Sequence, residues 1–153
     1  MARQKAYALG IDLGGTKTLT AIVDITTGEV VTSARKRTHA ERGQEFVAKR
    51  TIDLTNAALE DAKLPSASLV AIGVGAAGQI DRKAGIILDA PNLGVKDMHM
   101  GDLLSKQFGK PVAMGNDVEV AALGEYLYGA GQGYKNFVCI FVGTGIGSGI
   151  VQN

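Results

Sequence analysis

Residues Tyr7–Asp24, with the sequence Y-A-L-G-I-D-L-G-G-T-K-T-L-T-A-I-V-D, decide the fold of this chain. Ala8, Leu9 and Ile11 give a first strand its apolar body, and Leu19, Ala21 and Val23 alternate with Thr18 and Thr20 in a second strand. With Gly14-Gly15 between them, this pattern predicts strand, tight turn, strand. Asp12 stands just before the glycines, and Thr16-Lys17 follows them. A carboxylate beside a turn rich in backbone N–H groups can hold a magnesium ion and the phosphates it neutralises. The same residues also suit a plain hairpin, in which Asp and Gly serve only the turn.

The rest of the chain continues with one more antiparallel strand and then alternates helices with buried strands. Periodicity, glycine and proline give the boundaries. The predicted strands are 30–37, 69–75, 86–88, 111–115 and 137–142, and the predicted helices are 44–61, 102–108 and 118–128. After the last of these strands we expect a glycine turn over 143–149 and a strand back from Ile150. This order predicts an α/β fold with a mixed sheet flanked by helices.

The last hairpin repeats the pattern of the first, because an apolar strand, a Gly-Thr-Gly turn and a second apolar strand follow one another. We interpret this as a weak internal repeat. It predicts a first domain over residues 1–115 and the beginning of a second, similar domain over 116–153. A lone hairpin is marginally stable, so we expect either a partner that covers it or a longer protein.

Composition excludes several classes of function. The 153 residues carry a net charge of +1, which predicts no general attraction to nucleic acid or to a membrane surface. Because no apolar run reaches the ~18 residues of a membrane span and no signal peptide is evident, we expect a cytoplasmic protein. The single cysteine, Cys139, fits a reducing compartment, and the isolated His39 and His99 form no metal cluster.

Two glycine motifs resemble known nucleotide loops but lack their context. Gly73–Gly78 matches G-x-G-x-x-G, yet the residues after it have no helical face on which a pyrophosphate could bind. Gly10–Lys17 is similar to a Walker loop, but Thr16 stands where that motif needs Lys, and the loop must open a helix. Neither motif therefore predicts its usual ligand here.

Five segments, in this order and spacing, resemble the ROK family of sugar kinases and repressors within the actin-like ATPase superfamily. The segments are 12–17 (DLGGTK), 73–81 (GVGAAGQID), 90–93 (APNL), 116–118 (NDV) and 143–150 (GTGIGSGI). The resemblance covers nearly the whole chain but about the first half of a family member. It implies an actin-like (ribonuclease H-like) domain whose mixed sheet is flanked by helices, plus the start of a second domain.

The resemblance also implies a role for each matching residue. Asp12 would hold magnesium, through water, beside the phosphates of ATP. The nucleotide-binding positions would be Gly14, Gly15, Thr16 and Lys17 in one turn and Gly143, Thr144 and Gly145 in the other. The sugar-binding positions would be Gly78, Asn92, Asn116 and Asp117. Asp117 would in addition be the catalytic base.

Each of these residues also has a purely structural interpretation. Asn116 or Asp117 can be the N-cap of the following helix, and the two roles are compatible if Asn116 is the cap. Asn92 follows Pro91 and can be a turn residue. Lys17 can be a solvated lysine at the start of a strand.

The resemblance implies an ATP-dependent hexose kinase, glucose first, that uses ATP and magnesium and forms a homodimer. The alternatives are a sugar-binding regulatory module without turnover and a kinase for N-acetylmannosamine or N-acetylglucosamine. Ala77 stands where the family usually has Pro, and Ser148 replaces a common Gly. By the resemblance, the zinc site of the family would lie beyond Asn153, so we do not expect it within this chain. Because six residues precede the first strand, we expect no helix-turn-helix of the kind that family repressors carry.

Overall fold

The computed structural model describes residues 5–142 and 146–152. In chain order its elements are β1 (Tyr7–Leu13), β2 (Lys17–Asp24), β3 (Glu29–Arg37), α1 (Gln44–Asp61), β4 (Leu69–Ala76), β5 (Gln79–Asp81), β6 (Ile86–Ala90), β7 (Val95–Met98), α2 (Met100–Phe108), β8 (Val112–Asn116), α3 (Asp117–Tyr128), β9 (Phe137–Val142) and β10 (Ile146–Val151). Short 3-10 turns occupy Ala40–Arg42, Ser66–Ser68 and Pro91–Leu93.

The main sheet has five strands in the order β3-β2-β1-β4-β8. β1, β2 and β3 pair antiparallel, whereas β4 pairs parallel to both β1 and β8. The predicted mixed sheet is therefore confirmed. Its parallel strands all end at one edge, and in open α/β sheets ligands bind at the edge formed by the carboxyl ends of the strands.

The core lies on one face of this sheet. Leu9, Ile11 and Leu13 alternate along β1 and are all buried, together with Val47 and Leu54 of α1. This is the helical face that the sequence predicts for residues 44–61, and the helix has the predicted bounds. Burying a large aliphatic side chain contributes about 1.5–3 kcal/mol. These contacts hold one face of β1 against the core, and the polar residue Asp12 belongs to the opposite face.

Helix α3 packs on the other face, where glycines leave room for it. A Cβ atom at Gly115 would lie 2.9 Å from Cγ2 of Val120, and one at Gly149 of β10 would lie 2.2 Å from Cβ of Ala122. Both distances are too short for carbon atoms in contact, so the close approach of α3 to the sheet and to β10 requires glycine at these positions.

This contact corrects one prediction from the sequence. The expected glycine turn over 143–149 is wrong in its second part, because β10 begins at Ile146 and Gly147 and Gly149 lie inside the strand. Their glycine character serves the approach of α3 rather than a turn. Gly143, Thr144 and Gly145 lie outside the described residues.

The sequence did not predict β5 and β7, which pair with β6 as a small antiparallel sheet. Strands of three and four residues are too short for a periodic signal. Because β5 follows Gly73–Gly78, that glycine motif leads into a strand and not into a helix. The proposed domain boundary between residues 115 and 116 falls one residue before the junction of β8 with α3, and the division into domains stays a prediction.

Candidate active site

Three parallel strands bring the predicted metal-binding residue Asp12 and the predicted base Asp117 to one edge of the sheet. Asp12 pairs with Gly75 across β1 and β4, and the next residue of β4, Ala76, pairs with Asn116 of β8. Asp117 follows directly as the first residue of α3. Neighbouring strands lie about 4.8 Å apart, so Asp12 and the start of α3 face each other across the single strand β4.

Asp12 and Asp117 line the same cleft, which has a volume of about 610 Å³. Asp12 remains open to solvent at this position, whereas Asp117 is half-buried. Although the side chain of Asp12 is reached by solvent, the surrounding protein removes part of the hydration of its carboxyl group and raises its pKa above the ordinary value, and the negative charge of Asp117 raises it further. A divalent cation beside Asp12 would stabilise the ionised carboxylate that these two effects disfavour.

Three carbonyl groups in and beside the glycine turn between β1 and β2, those of Gly14, Thr16 and Lys17, accept hydrogen bonds from protein donors. Gly14 N donates to Lys17 O at 3.1 Å, Thr38 N donates to Thr16 O at 3.0 Å, and Thr38 Oγ1 donates to Gly14 O at 2.5 Å. Within the described part of the chain, the N–H groups of Gly15 and Thr16 donate to no acceptor. Backbone N–H groups without a protein acceptor in a turn can bind an anion.

The turn that carries Asn92 lies against the glycine turn. A Cβ atom at Gly15 would lie 2.4 Å from the backbone oxygen of Asn92 and 3.0 Å from its Cβ. Only glycine permits this approach. The side chain of Asn92 is exposed, and no described residue forms a hydrogen bond with it. The structure therefore brings a predicted phosphate-binding residue and a predicted sugar-binding residue into contact.

Asn116 is the N-cap of α3, as one interpretation of the sequence had it. Its Oδ1 accepts hydrogen bonds from Val118 N at 3.0 Å and Glu119 N at 3.3 Å, and its Nδ2 donates to Gly78 O at 3.1 Å. Gly78 has a φ of 104°, and a Cβ there would lie 2.4 Å from Asp89 O. Both Asn116 and Gly78 are thus at the predicted site, bonded to each other.

Asp117 is free to act beyond capping. Its Oδ1 accepts a hydrogen bond from Val118 N at 2.9 Å, while its Oδ2 receives none from a described residue. One oxygen is therefore fixed by the helix terminus and the other is available to a hydroxyl group. The capping and catalytic interpretations do not compete, because Asn116 bonds both the second and third amides of the helix.

The remaining nucleotide-binding candidates are only partly described. Thr16 and Lys17 are exposed, and Lys17 pairs across the sheet with Arg37 of β3. Gly143, Thr144 and Gly145 lie outside the described residues, so the second phosphate-facing turn stays a prediction. Over residues 5–142 and 146–152, no group of three His, Cys, Asp or Glu side chains is arranged to hold a metal ion. In the same ranges no helix is long and apolar enough for a membrane span.

Two features of the site were missed by the sequence reasoning. Thr38, immediately after β3, is fully buried and holds the glycine turn. Arg82, between β5 and β6, forms an ion pair with Glu119 in the first turn of α3, which joins the small sheet to the helix that begins with Asp117. Neither has a sequence signal, since a threonine after a basic run and an arginine in a turn are ordinary surface patterns.

Comparisons with known proteins identify the family of this chain and its fold. Residues 8–153 match the ROK family. A glucokinase from Halalkalibacterium halodurans is 37% identical over 147 residues, which is 96% of this chain and 44% of the relative. The structure of a ROK family glucokinase from Streptomyces griseus in complex with glucose and AMPPNP matches with a TM-score of 0.83 at 33% identity, over 96% of this chain and 45% of that one.

A ROK family transcriptional regulator, a homolog of the E. coli MLC protein, matches equally well, with a TM-score of 0.84 at 27% identity over 97% of this chain and 37% of that one. The chain therefore spans less than half the length of these three proteins. The predicted fold class, an actin-like ATPase domain with a mixed sheet and flanking helices, is confirmed. With a family match from residue 8 to residue 153, this chain belongs to the ROK family.

Proposed function

We propose that this chain forms the N-terminal part of an ATP-dependent hexose kinase, with glucose as the first candidate substrate. The single observation that carries the proposal is the meeting of Asp12, Asp117 and the glycine turn at one edge of the sheet. Phosphoryl transfer needs a base, neutralisation of charge and alignment of the reacting groups, and this edge offers residues for each.

Asp117 is the proposed base. Its unoccupied Oδ2 would accept the proton of the sugar 6-hydroxyl as the hydroxyl oxygen attacks the γ-phosphorus of ATP. The bond between that phosphorus and the β–γ bridging oxygen would break, and ADP would leave. A carboxylate is a weak base, but it suffices because proton transfer comes late in a loose transition state. The hydrogen bond from Val118 N to Oδ1 fixes the orientation of the carboxylate, and orientation is a large part of what an enzyme contributes to such a reaction.

The donor side would be formed by the glycine turn and Asp12. The N–H groups of Gly15 and Thr16 would bind phosphate oxygens, and Lys17 would neutralise charge at the rim of the turn. Asp12 would hold a magnesium ion, through water, and the bound ion would supply neutralisation of the phosphates. The like charges of Asp12 and Asp117 fit a cation at this position. Gly143, Thr144 and Gly145 would complete the phosphate contacts.

The sugar side would be formed by Asn92, Asn116, Asp117 and the backbone at Gly78. The exposed amide of Asn92 would hydrogen-bond sugar hydroxyls directly. Asn116 already uses its Oδ1 and one hydrogen of Nδ2 within the protein, so the second hydrogen of Nδ2 is what it would offer to a sugar. The glucokinase similarities favour glucose, and N-acetylmannosamine or N-acetylglucosamine are the alternative acceptors.

A sugar-binding regulatory module without turnover is the second candidate. The observation that favours it is the similarity to a ROK family transcriptional regulator, whose TM-score of 0.84 lies beside the 0.83 of the glucokinase structure. A homodimer in the cytoplasm is part of the proposal for either function, by likeness to the family.

The test measures ADP release by this chain with ATP, magnesium and each of glucose, mannose and the two N-acetylated hexosamines. Asp117→Asn is compared with Asp53→Asn, which changes an exposed carboxylate paired with Lys49 on α1. Glucose-dependent turnover that disappears only in Asp117→Asn supports the kinase. Calorimetric sugar binding with no ADP release supports the regulatory module, and the absence of both contradicts the two proposals for this chain.

A further inference from the structure

Thr38 makes three hydrogen bonds around the glycine turn. Its N–H donates to Thr16 O at 3.0 Å, and its Oγ1 donates to Gly14 O at 2.5 Å. Its Oγ1 also lies 3.0 Å from Oγ1 of Thr18. A hydroxyl group has one proton, and Thr38 gives its proton to Gly14. Thr18 must therefore be the donor in the bond between the two hydroxyls.

All the side-chain atoms in this chain of bonds are enclosed, because Thr18 and Thr38 are each 0% exposed. A buried hydrogen bond is costly to break when its partner stays behind without a replacement. Each hydroxyl here is placed by the one before it: Thr18 orients Thr38, and Thr38 orients the carbonyl of Gly14. The peptide plane that carries this carbonyl also carries the N–H of Gly15.

That shared plane links Thr38 to the anion-binding face of the turn. The peptide unit is rigid and its C=O and N–H point in opposite directions. Holding Gly14 O towards Thr38 therefore turns the N–H of Gly15 outward. In the same way, the bond from Thr38 N to Thr16 O fixes the peptide plane between Thr16 and Lys17.

The segment after Thr38 continues to the sugar side of the site. His39 has a left-handed φ of 58°, and the following 3-10 turn places Ala40 against Gly94, where a Cβ atom would lie 3.0 Å from Ala40 O. Gly94 ends the turn that carries Asn92, and Asn92 contacts Gly15. Thr38 thus lies where the chain joins the phosphate-binding turn to the Asn92 turn.

We infer that Thr38 is a positioning residue that holds the N–H group of Gly15 in the orientation that binds the phosphates of a nucleotide, and that also fixes the neighbouring peptide plane between Thr16 and Lys17. This inference rests on the proposed kinase function. Other buried threonines do not share the role: Thr51 Oγ1 donates within its own helix to Val47 O at 2.8 Å, and Thr55 Oγ1 has no hydrogen-bond partner in the described residues.

The experiment compares Thr38→Val, Thr38→Ser and Thr55→Val in this chain. Valine has the shape of threonine without the hydroxyl, serine keeps the hydroxyl, and Thr55 supplies a buried threonine of matched chemistry outside the site. The dissociation constant of Mg-AMPPNP is measured by calorimetry, and that of glucose is measured in parallel. Amide hydrogen exchange of Gly14, whose N–H donates to Lys17 O, reports on the turn without any ligand.

We expect Thr38→Val to weaken Mg-AMPPNP binding about tenfold, since a buried hydrogen bond to the turn is lost, and to accelerate exchange at Gly14. Glucose affinity should change less than about twofold. Thr38→Ser should stay within about twofold of the wild type for both ligands, and Thr55→Val should match the wild type. A loss of affinity for both ligands in parallel with thermal destabilisation would overturn the positioning role in favour of a general folding role.

Thr38→Val that binds Mg-AMPPNP as the wild type does would overturn this inference alone and leave the proposed kinase intact. Wild-type protein that binds no Mg-AMPPNP would contradict the nucleotide-binding function itself, and the inference with it. If Thr38→Val fails to fold, Thr18→Val is the second variant, because it leaves the bond from Thr38 to Gly14 in place and removes the donor that orients it. Two results together would overturn the assignment of Thr18 as donor and Thr38 as acceptor in the bond between the two hydroxyls. These results are an unchanged Mg-AMPPNP affinity in Thr18→Val and an affinity about tenfold weaker in Thr38→Ser.

Discussion

Nδ2 of Asn116 donates a hydrogen bond to the backbone carbonyl of Gly78 over 3.1 Å, while Oδ1 of the same side chain caps helix α3. One amide thus joins the turn after β4 to the helix that begins with Asp117. The two residues are 38 positions apart in the chain. Because Gly78 has a left-handed φ, the bond holds a conformation that the backbone would otherwise adopt rarely.

We predict that Asn116→Ala destabilises the protein by about 1–2 kcal/mol, because α3 loses its cap and Gly78 O loses its donor. Asn116→Asp keeps an acceptor for the helix amides but has no donor for Gly78 O. It should therefore lose less stability than alanine. Urea unfolding measures both variants, and equal losses in the two would show that the cap contributes nothing beyond the bond to Gly78.

For Asp117→Asn we predict a folded protein that binds sugar but turns over less than about one thousandth as fast, since asparagine cannot accept the hydroxyl proton. The asparagine side chain retains an oxygen to accept the hydrogen bond from Val118 N, so α3 should remain intact. The measurement is ADP release alongside far-ultraviolet circular dichroism. A variant with the normal rate would remove Asp117 from the role of base.

Asp12 should make stability depend on pH in a direction opposite to that of a salt-bridged carboxylate. Its pKa in the folded state is raised above the ordinary value of 3.8. At a pH between 3.8 and this raised pKa, the folded state therefore binds more protons than the unfolded state. The free energy of unfolding then falls as pH rises through this window. We expect Asp12→Asn to be more stable than the wild type at neutral pH and equal to it below about pH 3.8.

Urea midpoints from pH 3 to pH 7.5 test this dependence. Asp117→Asn should weaken it in the wild-type Asp12 background, because it removes one of the two causes of the shift while leaving the burial of Asp12 unchanged. A wild-type protein that gains stability relative to Asp12→Asn as pH rises would contradict the predicted direction.

Asp12→Ala should impair the use of magnesium-ATP more than the binding of sugar. The reason is that Asp12 lies at the end of the cleft next to the glycine turn, across β4 from Asp117. We expect at least a tenfold larger effect on magnesium-dependent nucleotide affinity than on glucose affinity, by calorimetry with each ligand. Asp53→Ala on α1 is the matched surface control. Losses of equal size for both ligands would point to a role in folding.

The packing of α3 on β10 predicts opposite effects for two glycine substitutions. Gly149→Ala would place a Cβ atom 2.2 Å from Cβ of Ala122, so the helix must move, and we expect a loss of about 1–3 kcal/mol. Gly124→Ala lies in α3 with no atom within 4 Å of the new carbon, and it should stabilise the helix by about 0.5–1 kcal/mol. Thermal unfolding measures both, and a stabilising Gly149→Ala would contradict the close packing.

The main sheet could be predicted from the sequence because its signals are local. The alternation of Leu9, Ile11 and Leu13 and the helical spacing of Val47 and Leu54 arise from neighbouring residues, and the structure has the strands and the helix at these places. The same patterns placed Asp12 at the end of one strand and Asp117 at the start of a helix. Parallel pairing then brings such positions to one edge of the sheet.

The tertiary structure alone decided how these parts contact one another. Gly15 meets Asn92, Asn116 bonds Gly78, and Thr38 holds Gly14 across 24 positions of sequence. A single hydroxyl or a missing Cβ has no periodicity, so its function depends on which distant backbone atom lies opposite it. For the same reason the local sequence of Gly147 and Gly149 is typical of a turn, whereas in the structure they lie in β10 and α3 packs on them. Local sequence thus determined the strands, helices and candidate carboxylates, and long-range packing determined which groups support them.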